Sequence, residues 1–226
     1  MIKQTLIIDE RIRNEEYEYL KQFFVVQKLP LSEDVYQEIS GHSDIFYCKI
    51  NDKVICAPNA KIKDKSFLIG NTEVKKSYPQ DVLYNACQIG EHIIGTKYTD
   101  SSIPVDITVR QGYVKCSIVV TSKSSCITTD EWIAKKLQIY GIDSLFIKED
   151  NIRLLNKDGS ISNIKGFIGG ATLTFGNKFV LFGDIDNISD KEKVINHINK
   201  YGLELIDFKG LDVFDYGGGI IYFSAI

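Results

Sequence analysis

Two stretches of this chain repeat one another, and that repeat restricts the possible folds more than any other feature. One predicted helix ends at Tyr140-Gly-Ile-Asp143 and another at Tyr201-Gly-Leu-Glu204. A glycine directly after a helix is a common stop signal because it tolerates positive φ. An apolar run follows each stop, which predicts strands at 144–147 and 205–208. A recurring helix–strand unit predicts a fold assembled from copies of one small element.

Three predicted β-hairpins repeat as well, two of them around the polar turns Asn-Asp and Gly-Asn, which suit short hairpin connections. Their strands are Phe46–Ile50 with Lys53–Ala57, Cys116–Val120 with Lys123–Ile127, and Ala171–Phe175 with Lys178–Phe182. The last apolar strand, Gly219–Phe223, has no partner after it, so we expect it to pair with the N-terminal strand Thr5–Ile8. That pairing would close a ring, as in propeller-like folds. We predict one domain over residues 1–226 with about four or five units.

Local signals predict four helices. A Ser or Thr followed three residues later by Glu marks the start of two of them, and Pro79 stands in the first turn of another. The predicted helices are Arg13–Phe23, Pro79–Ile94, Asp130–Tyr140 and Asp190–Tyr201. The longest irregular stretches are read as loops of the same domain: Asn59–Ser77, Lys97–Pro104 and Asn156–Lys165.

Composition and charge narrow the possible partners and location. The formal net charge is −3, and the basic residues are scattered, so no nucleic-acid partner is expected. The chain has no run of 18 apolar residues, which argues against a membrane span, and its start is too short and polar for an export signal. The five cysteines form no CxxC motif, and the three histidines lack zinc-site spacing. We therefore expect a cytoplasmic protein with reduced thiols and no metal or cofactor.

Two glycine-rich segments carry a family resemblance. The run Gly166–Gly183 resembles the double-glycine strand–turn–strand of dimethylarginine hydrolases, and Asp215–Phe223 resembles the terminal strand of agmatine and arginine deiminases. These enzymes belong to the pentein, or guanidino-group-modifying, superfamily. The resemblance implies a pentein-like α/β propeller of about five pseudo-symmetric blades around a central channel.

Most of the chain resembles, more closely, an uncharacterised bacterial family assigned to the pentein fold. The matching segments are Gly41-His-Ser-Asp44, Tyr84-Asn-Ala-Cys87, Gln111–Ser117 and Gly166–Gly170. The chain departs from the pentein hydrolases at one position. Those enzymes place a His and then a nucleophilic Cys just after the terminal glycines, where this chain has Tyr222 and Phe223. The standard nucleophile is therefore missing from its standard place.

Three other residues could replace it. Cys116 follows Lys115, whose ammonium could favour the thiolate, and it is predicted to open a hairpin strand as the terminal Cys does in penteins. The other reading of Cys116 is a small apolar core residue. His42 and Asp44 precede the first hairpin, where the other copies have apolar residues or glycine. A His can act as a general base, and a carboxylate can bind a guanidinium through paired hydrogen bonds, although Asp44 could also only cap a loop.

Further polar and glycine positions flank these candidates. They are expected to bind the substrate or to let the backbone approach it closely, although each could serve only a turn or the backbone. They are Asn85, Gln111, Lys115, Asp215, Gly169 and Gly170. The other four cysteines are read as packing residues, with Cys87 on a helix.

Two functions remain open from sequence. One is a Cys-dependent hydrolase or transferase for a cationic guanidine or amidine, in which Cys116 attacks, His42 moves protons and Asp44 holds the cation. The other is a non-catalytic binding protein, since some pentein-fold proteins catalyse nothing. A separation of Cys116 and His42 above about 8 Å would favour the binding protein, because catalytic groups need hydrogen-bond reach, directly or through one water.

Overall fold

The computed structural model describes residues 4–148 and 151–224, and its strands form several small sheets rather than one continuous barrel. Five of these sheets have three strands each, and all five follow the same plan. Two antiparallel strands form one side, and a third strand pairs in parallel with the middle one. The repeat read from the sequence is therefore present in the described residues as five equivalent sheets.

The strands are short, and their bounds show how closely the sheets resemble one another. The first sheet contains β1 (Gln4–Asp9), β2 (Val25–Leu29) and the last strand, β17 (Ile220–Phe223). The second contains β3 (Tyr47–Ile50), β4 (Lys53–Cys56) and β5 (Leu68–Ile69), and the third β6 (Cys87–Ile89), β7 (His92–Gly95) and β8 (Ile107–Thr108). The fourth contains β9 (Ile118–Ser122), β10 (Ser125–Thr128) and β11 (Asp143–Phe146). The fifth contains β14 (Thr172–Phe175), β15 (Lys178–Leu181) and β16 (Glu204–Ile206), while β12 (Arg153–Leu155) and β13 (Ile161–Lys165) form a separate two-stranded sheet.

Three helices connect the middle strand of a sheet to its parallel third strand. They are α1 (Asn14–Lys21), α4 (Glu131–Ile139) and α5 (Lys191–Lys200), close to three of the four predicted helices. Single helical turns, α2 (Ser43–Phe46) and α3 (Val114–Ser117), lead directly into β3 and β9. A parallel third strand requires such a crossover, because a tight turn can only reverse the chain direction.

The ends of the described chain meet in one sheet. Strand β17 pairs antiparallel with β1, with Tyr222 opposite Thr5 and Ile220 opposite Ile7. Sequence analysis predicted this pairing, and the structure confirms it. Because β17 pairs with β1 from the other end of the chain, the first sheet has the same three-strand arrangement as the other four.

The predicted helix Pro79–Ile94 is wrong. The stretch folds as turns followed by the β6–β7 hairpin, whose turn contains Gly90 with a φ of 59°. Ile89, Ile93 and Ile94 are β-branched and pack well on a pleated surface, which favours the hairpin over a helix. Cys87 is consequently a strand residue and not a helical one.

Two smaller predictions also need correction. The pair Thr128 and Glu131 predicts Thr128 as the cap of α4. The cap is instead Asp130, whose carboxylate accepts hydrogen bonds from the backbone of Trp132 and Ile133. The stretch Asn156–Lys165 is not wholly a loop, since it contains β13.

The core consists of several apolar clusters between the sheets and helices. The largest surrounds Ile45, Tyr47 and Tyr84, all fully or almost fully buried. None of the described helices is both long and apolar enough to cross a bilayer.

Candidate functional site

The candidate site is built from five chain segments that occupy equivalent places in the fold. Each segment directly precedes the strand that pairs antiparallel with the middle strand of one three-stranded sheet. The segments are 42–46 before β3, 83–86 before β6, 114–117 before β9, 168–171 before β14 and 216–219 before β17. Equivalent segments of equivalent sheets meet at one place, so residues far apart in sequence become neighbours there.

Hydrogen bonds join the first four segments in chain order. Asn85 Nδ2 donates to the carbonyl oxygen of Asp44 at 3.1 Å, and the backbone N–H of Cys116 donates to Asn85 Oδ1 at 3.3 Å. The N–H of Gly170 donates to the carbonyl of Cys116 at 3.1 Å. The side chain of Asn85 is fully buried, and it links the segments on either side of its own.

The fifth segment returns this chain of contacts to the first. The N–H of Gly218 donates to the carbonyl of Gly170 at 2.8 Å. Ser43 Oγ donates to the carbonyl of Gly217 at 3.3 Å. The five segments are thus linked in a closed circle of hydrogen bonds.

The thiol of Cys116 lies against a carboxylate within this circle. Its Sγ is 2.9 Å from Asp44 Oδ2 and 3.2 Å from Asn85 Nδ2. Because a thiol donates and an amide N–H₂ donates, the geometry fits a protonated thiol that donates to Asp44 and accepts from Asn85. Cys116 lies on α3, a helical turn before the strand, and not on the strand itself as predicted.

His42 and Asp215 complete the group. Nδ1 of His42 is 3.7 Å from Asp215 Oδ1, and both side chains are almost fully buried. Asp215 accepts hydrogen bonds from the backbone of Phe167 at 2.8 Å and Gly217 at 2.9 Å. Within the described parts of the chain, neither ring nitrogen of His42 has a hydrogen-bond partner. One nitrogen of His42, one oxygen of Asp44 and the sulfur of Cys116 lie within 4.8 Å of one another.

A pocket of about 280 Å³ opens onto this group. Cys116, His42 and Asp215 lie along its lining. Much of the remaining wall is aromatic or aliphatic: Tyr36, Ile39, Tyr113, Leu154, Ile164 and Phe167. The pocket therefore combines an apolar wall with a polar floor, as small-molecule sites usually do.

Burial disfavours every charged form in the group. It raises the pKa of Asp44 to about 6. It raises the pKa of Asp215 to about 7, and the negative charge of Asp44 adds to that shift. Burial also raises the pKa of the Cys116 thiol well above its usual value, and both carboxylates raise it further. Burial and the positive charge of Arg11 lower the pKa of His42, so its imidazole is neutral.

Most of the residues predicted from sequence are brought together. Cys116, His42, Asp44, Asn85 and Asp215 form the buried group described above. Gly170 lies against Asp215, and Gly169 lies against the backbone of α3, where added Cβ atoms would overlap with their neighbours.

Two other predicted positions lie outside the buried group. Lys115 is adjacent to Cys116 in sequence, but its side chain lines a separate pocket of about 190 Å³ with Cys48 and Cys87. Gln111 accepts a hydrogen bond from the N–H of Tyr113 and lines another pocket beside Trp132. Tyr222, which stands where the pentein hydrolases have their histidine, lies in β17, and its hydroxyl donates to Gln27 Oε1 at 3.2 Å.

Sequence analysis missed the aromatic wall. Tyr113 and Phe167 face one another with ring centroids 6.2 Å apart, and the hydroxyl of Tyr113 donates to Asp81 at 2.7 Å. Both residues stood within segments already singled out, Gln111–Ser117 and Gly166–Gly170. Their proximity to Cys116 and Asp215 in sequence was the available signal.

Gly170→Ala should destabilise the protein by about 1–3 kcal/mol, the usual cost of overpacking. A Cβ at this position would overlap with the carboxyl group of Asp215. Urea unfolding of Gly170→Ala, Asp215→Ala and the double variant would measure the coupling. The double variant should be more stable than the sum of the single effects predicts, since the clash disappears with the Asp215 carboxyl. Strict additivity would show that the two residues do not interact.

The chain matches one known protein family over most of its length. Residues 7–221 match the profile of a family of unknown function, DUF6873. The match covers nearly all of the chain, which therefore belongs to this family. No curated protein and no solved structure gave a match.

Proposed function

We propose that the pocket above Cys116 binds a small cationic guanidine or amidine compound, and that Cys116 serves as the nucleophile of a hydrolase or transferase acting on it. The observation that carries this proposal is the meeting of Cys116, His42 and Asp44 within 4.8 Å. That separation is well below the 8 Å at which the sequence-based argument would favour a non-catalytic protein. Nucleophile, base and charge partner are the parts that covalent catalysis requires.

The two carboxyl groups supply the site for a cation. Asp44 and Asp215 are both buried, and the ionisation of each opposes that of the other. A bound guanidinium would compensate the two negative charges and supply planar N–H donors. The aromatic side chains of Tyr113 and Phe167 would pack against the uncharged part of the ligand.

A cation on Asp44 would also change the pKa of the Cys116 thiol. Without a bound cation Asp44 accepts a hydrogen bond from the Cys116 thiol, and its negative charge opposes thiolate formation. A cation on Asp44 would compete for Oδ2 and offset that charge, which lowers the thiol pKa. The neutral imidazole of His42 would then be the acceptor for the thiol proton.

The covalent step follows from these positions. Cys116 Sγ forms a bond to the central carbon of the guanidine or amidine, and the thiol proton passes to His42. The carbon–nitrogen bond to the leaving amine then breaks, and His42 returns the proton to that amine. Water, or another acceptor in a transferase, finally displaces the thiol from the carbon.

A pentein-like propeller of five blades is part of the same proposal. Five sheets with one strand plan, paired chain ends and a closed circle of hydrogen bonds between the five pre-strand segments support it. In such a fold the candidate site would lie on the central channel, with the pocket on one side of the circle and Lys115 on the other.

A second candidate function is non-catalytic binding in the same pocket. The observation that favours it is the replacement of the terminal His and Cys by Tyr222 and Phe223. In this case the buried carboxylates would hold a cation, and the thiol would only pack against it.

Incubation with methylguanidine, acetamidine and N-substituted aromatic guanidines would separate the two functions. We expect released amine or ammonia from at least one compound, and no release by Cys116→Ala. Cys87→Ala, which removes a buried thiol from outside the group, should retain turnover. Binding of the same compounds by calorimetry without turnover would support the binding protein, and neither binding nor turnover would refute both.

A further inference from the structure

Three side chains of types that bind metal ions meet at one buried place. A ring nitrogen of His42, an oxygen of Asp44 and the sulfur of Cys116 lie within 4.8 Å of one another. Two of these groups have unused binding capacity. Both nitrogens of His42 and the Oδ1 atom of Asp44 are buried, and none of them makes a hydrogen bond of regular geometry to a residue that the structure describes. Buried polar atoms without a partner are costly in a folded protein, so a missing ligand would account for them.

We propose that His42, Asp44 and Cys116 form a site for a divalent transition metal, with zinc as the best fit. Zinc binds imidazole nitrogen, carboxylate oxygen and thiolate sulfur at about 2.0–2.3 Å. Tetrahedral coordination at these lengths separates two ligand atoms by roughly 3.5 Å. The present spacings, from 2.9 Å between Sγ and Oδ2 up to 4.8 Å, need shifts of about an ångström or less at the side-chain tips.

Charge balance favours a divalent ion. A thiolate, a carboxylate and a neutral imidazole carry two negative charges together, which one divalent cation compensates. The three side chains are at most 2% exposed, and a buried charge is stable only when it is paired or coordinates a metal. The fourth coordination position would face the pocket that Cys116 and His42 line.

The surrounding groups are of the kind that support metal ligands. Asn85 Nδ2, 3.2 Å from the sulfur, would donate to a metal-bound thiolate. Asp215 Oδ1, 3.7 Å from His42 Nδ1, stands where a carboxylate could orient the imidazole. Orientation of a histidine ligand by a neighbouring carboxylate is common in zinc sites.

Metal binding and the proposed reaction exclude one another. A metal-bound sulfur cannot attack carbon, and a metal on Asp44 occupies the place of the substrate cation. The metal would therefore inhibit the reaction, and a chelator would relieve the inhibition. The metal site itself requires only the three ligands and stands or falls independently of the reaction.

Titration of chelator-treated protein with cobalt chloride tests the site. Co²⁺ replaces Zn²⁺ and gives absorption bands that report its ligands. We expect one equivalent to bind, with a thiolate charge-transfer band in the near ultraviolet and visible bands of a tetrahedral ion. Addition of zinc chloride should remove both.

Three variants test which residues bind the metal. Cys116→Ser should lose the charge-transfer band, and His42→Ala should lower the affinity at least about tenfold. Cys87→Ser, at a buried cysteine outside the group, should leave the spectrum unchanged, and near-ultraviolet circular dichroism would establish that each variant is folded. Absence of the charge-transfer band in the wild-type protein, or an unchanged spectrum in Cys116→Ser, would overturn the proposal. Cobalt binding without any turnover of guanidines would leave the metal site standing and refute only the reaction.

Discussion

Methylguanidine should accelerate the alkylation of Cys116 by iodoacetamide at least about tenfold at pH 7. Burial and the charges of Asp44 and Asp215 together hold the pKa of this thiol well above its usual value. A cation that binds both carboxylates removes the electrostatic part of that shift. Each pKa unit by which the thiol is lowered raises its thiolate fraction tenfold, and the thiolate is the reactive form. Chelator should be present, so that metal does not mask the sulfur.

Two comparisons isolate the charge effect. N-methylurea has the shape of methylguanidine but no charge, so it should not change the rate. Asp44→Asn should speed labelling of Cys116 without any ligand and weaken the response to methylguanidine, because the opposing charge is already gone. Peptide mass analysis follows each cysteine separately, with Cys87 as the internal reference, since burial raises its pKa to about 12. Equal effects of the charged and uncharged compounds would contradict the mechanism.

His42→Ala tests the proton acceptor in the same assay. We expect slower labelling of Cys116 in the presence of methylguanidine, because the imidazole is the base that remains when Asp44 is occupied by the cation. If Cys116 is the nucleophile, it should label fastest of the five cysteines when a cation is bound. All five thiols are buried, so without the cation none should react quickly.

Local chemistry explains which elements could be predicted from the sequence. The β3–β4 and β14–β15 hairpins depend on short turns with positive φ at Asn51, Asp52 and Gly176, and residues of these types adopt that conformation readily. The β1–β17 pairing was predictable because one apolar strand at each end had no other partner. The helix predicted over Pro79–Ile94 failed because the signals at its start, a cap and a proline, also fit a turn.

The site residues were predictable for a different reason. His42 and Asp44 are polar where the other copies of the repeat have apolar residues or glycine, and Cys116 follows a lysine near the start of a hairpin strand. Gln111 lies a few residues before α3 and lines another pocket, so its closeness to Cys116 in sequence does not bring its side chain into the buried group. The proposed metal ligands could not be read from spacing, because His42 and Asp44 come from α2 and its cap while Cys116 comes from α3. The pKa shifts depend on burial, which the sequence does not state.

The unfolding free energy of Asp215→Asn, relative to that of the wild-type protein, should increase by about 2–4 kcal/mol as the pH rises from 5 to 8. Burial and the charge of Asp44 raise the pKa of Asp215 from 3.8 to about 7. Between these values the folded protein keeps a proton that the unfolded chain has lost, so the free energy of unfolding falls as the pH rises. Each pKa unit corresponds to about 1.4 kcal/mol, and asparagine has no charge to bury.

The difference between variant and wild type is the quantity to measure. The pKa of His42 is lowered by burial, so its contribution has the opposite sign and partly hides the effect in the wild-type curve alone. Urea unfolding across pH 5–8 in chelator gives the difference directly. Asp184→Asn is the matched control, because backbone N–H groups lower the pKa of Asp184 to about 2, and its contribution is constant above pH 5.

Urea unfolding with an added cationic ligand tests whether Asp215 belongs to a cation site. Burial makes ionised Asp215 unfavourable at pH 8, and a bound cation would relieve that cost. Millimolar methylguanidine should therefore raise the unfolding free energy of the wild-type protein at pH 8 more than that of Asp215→Asn, and N-methylurea should raise neither. Parallel pH curves for Asp215→Asn and the wild-type protein would show that this carboxyl ionises freely, and the cation site would lose its main support.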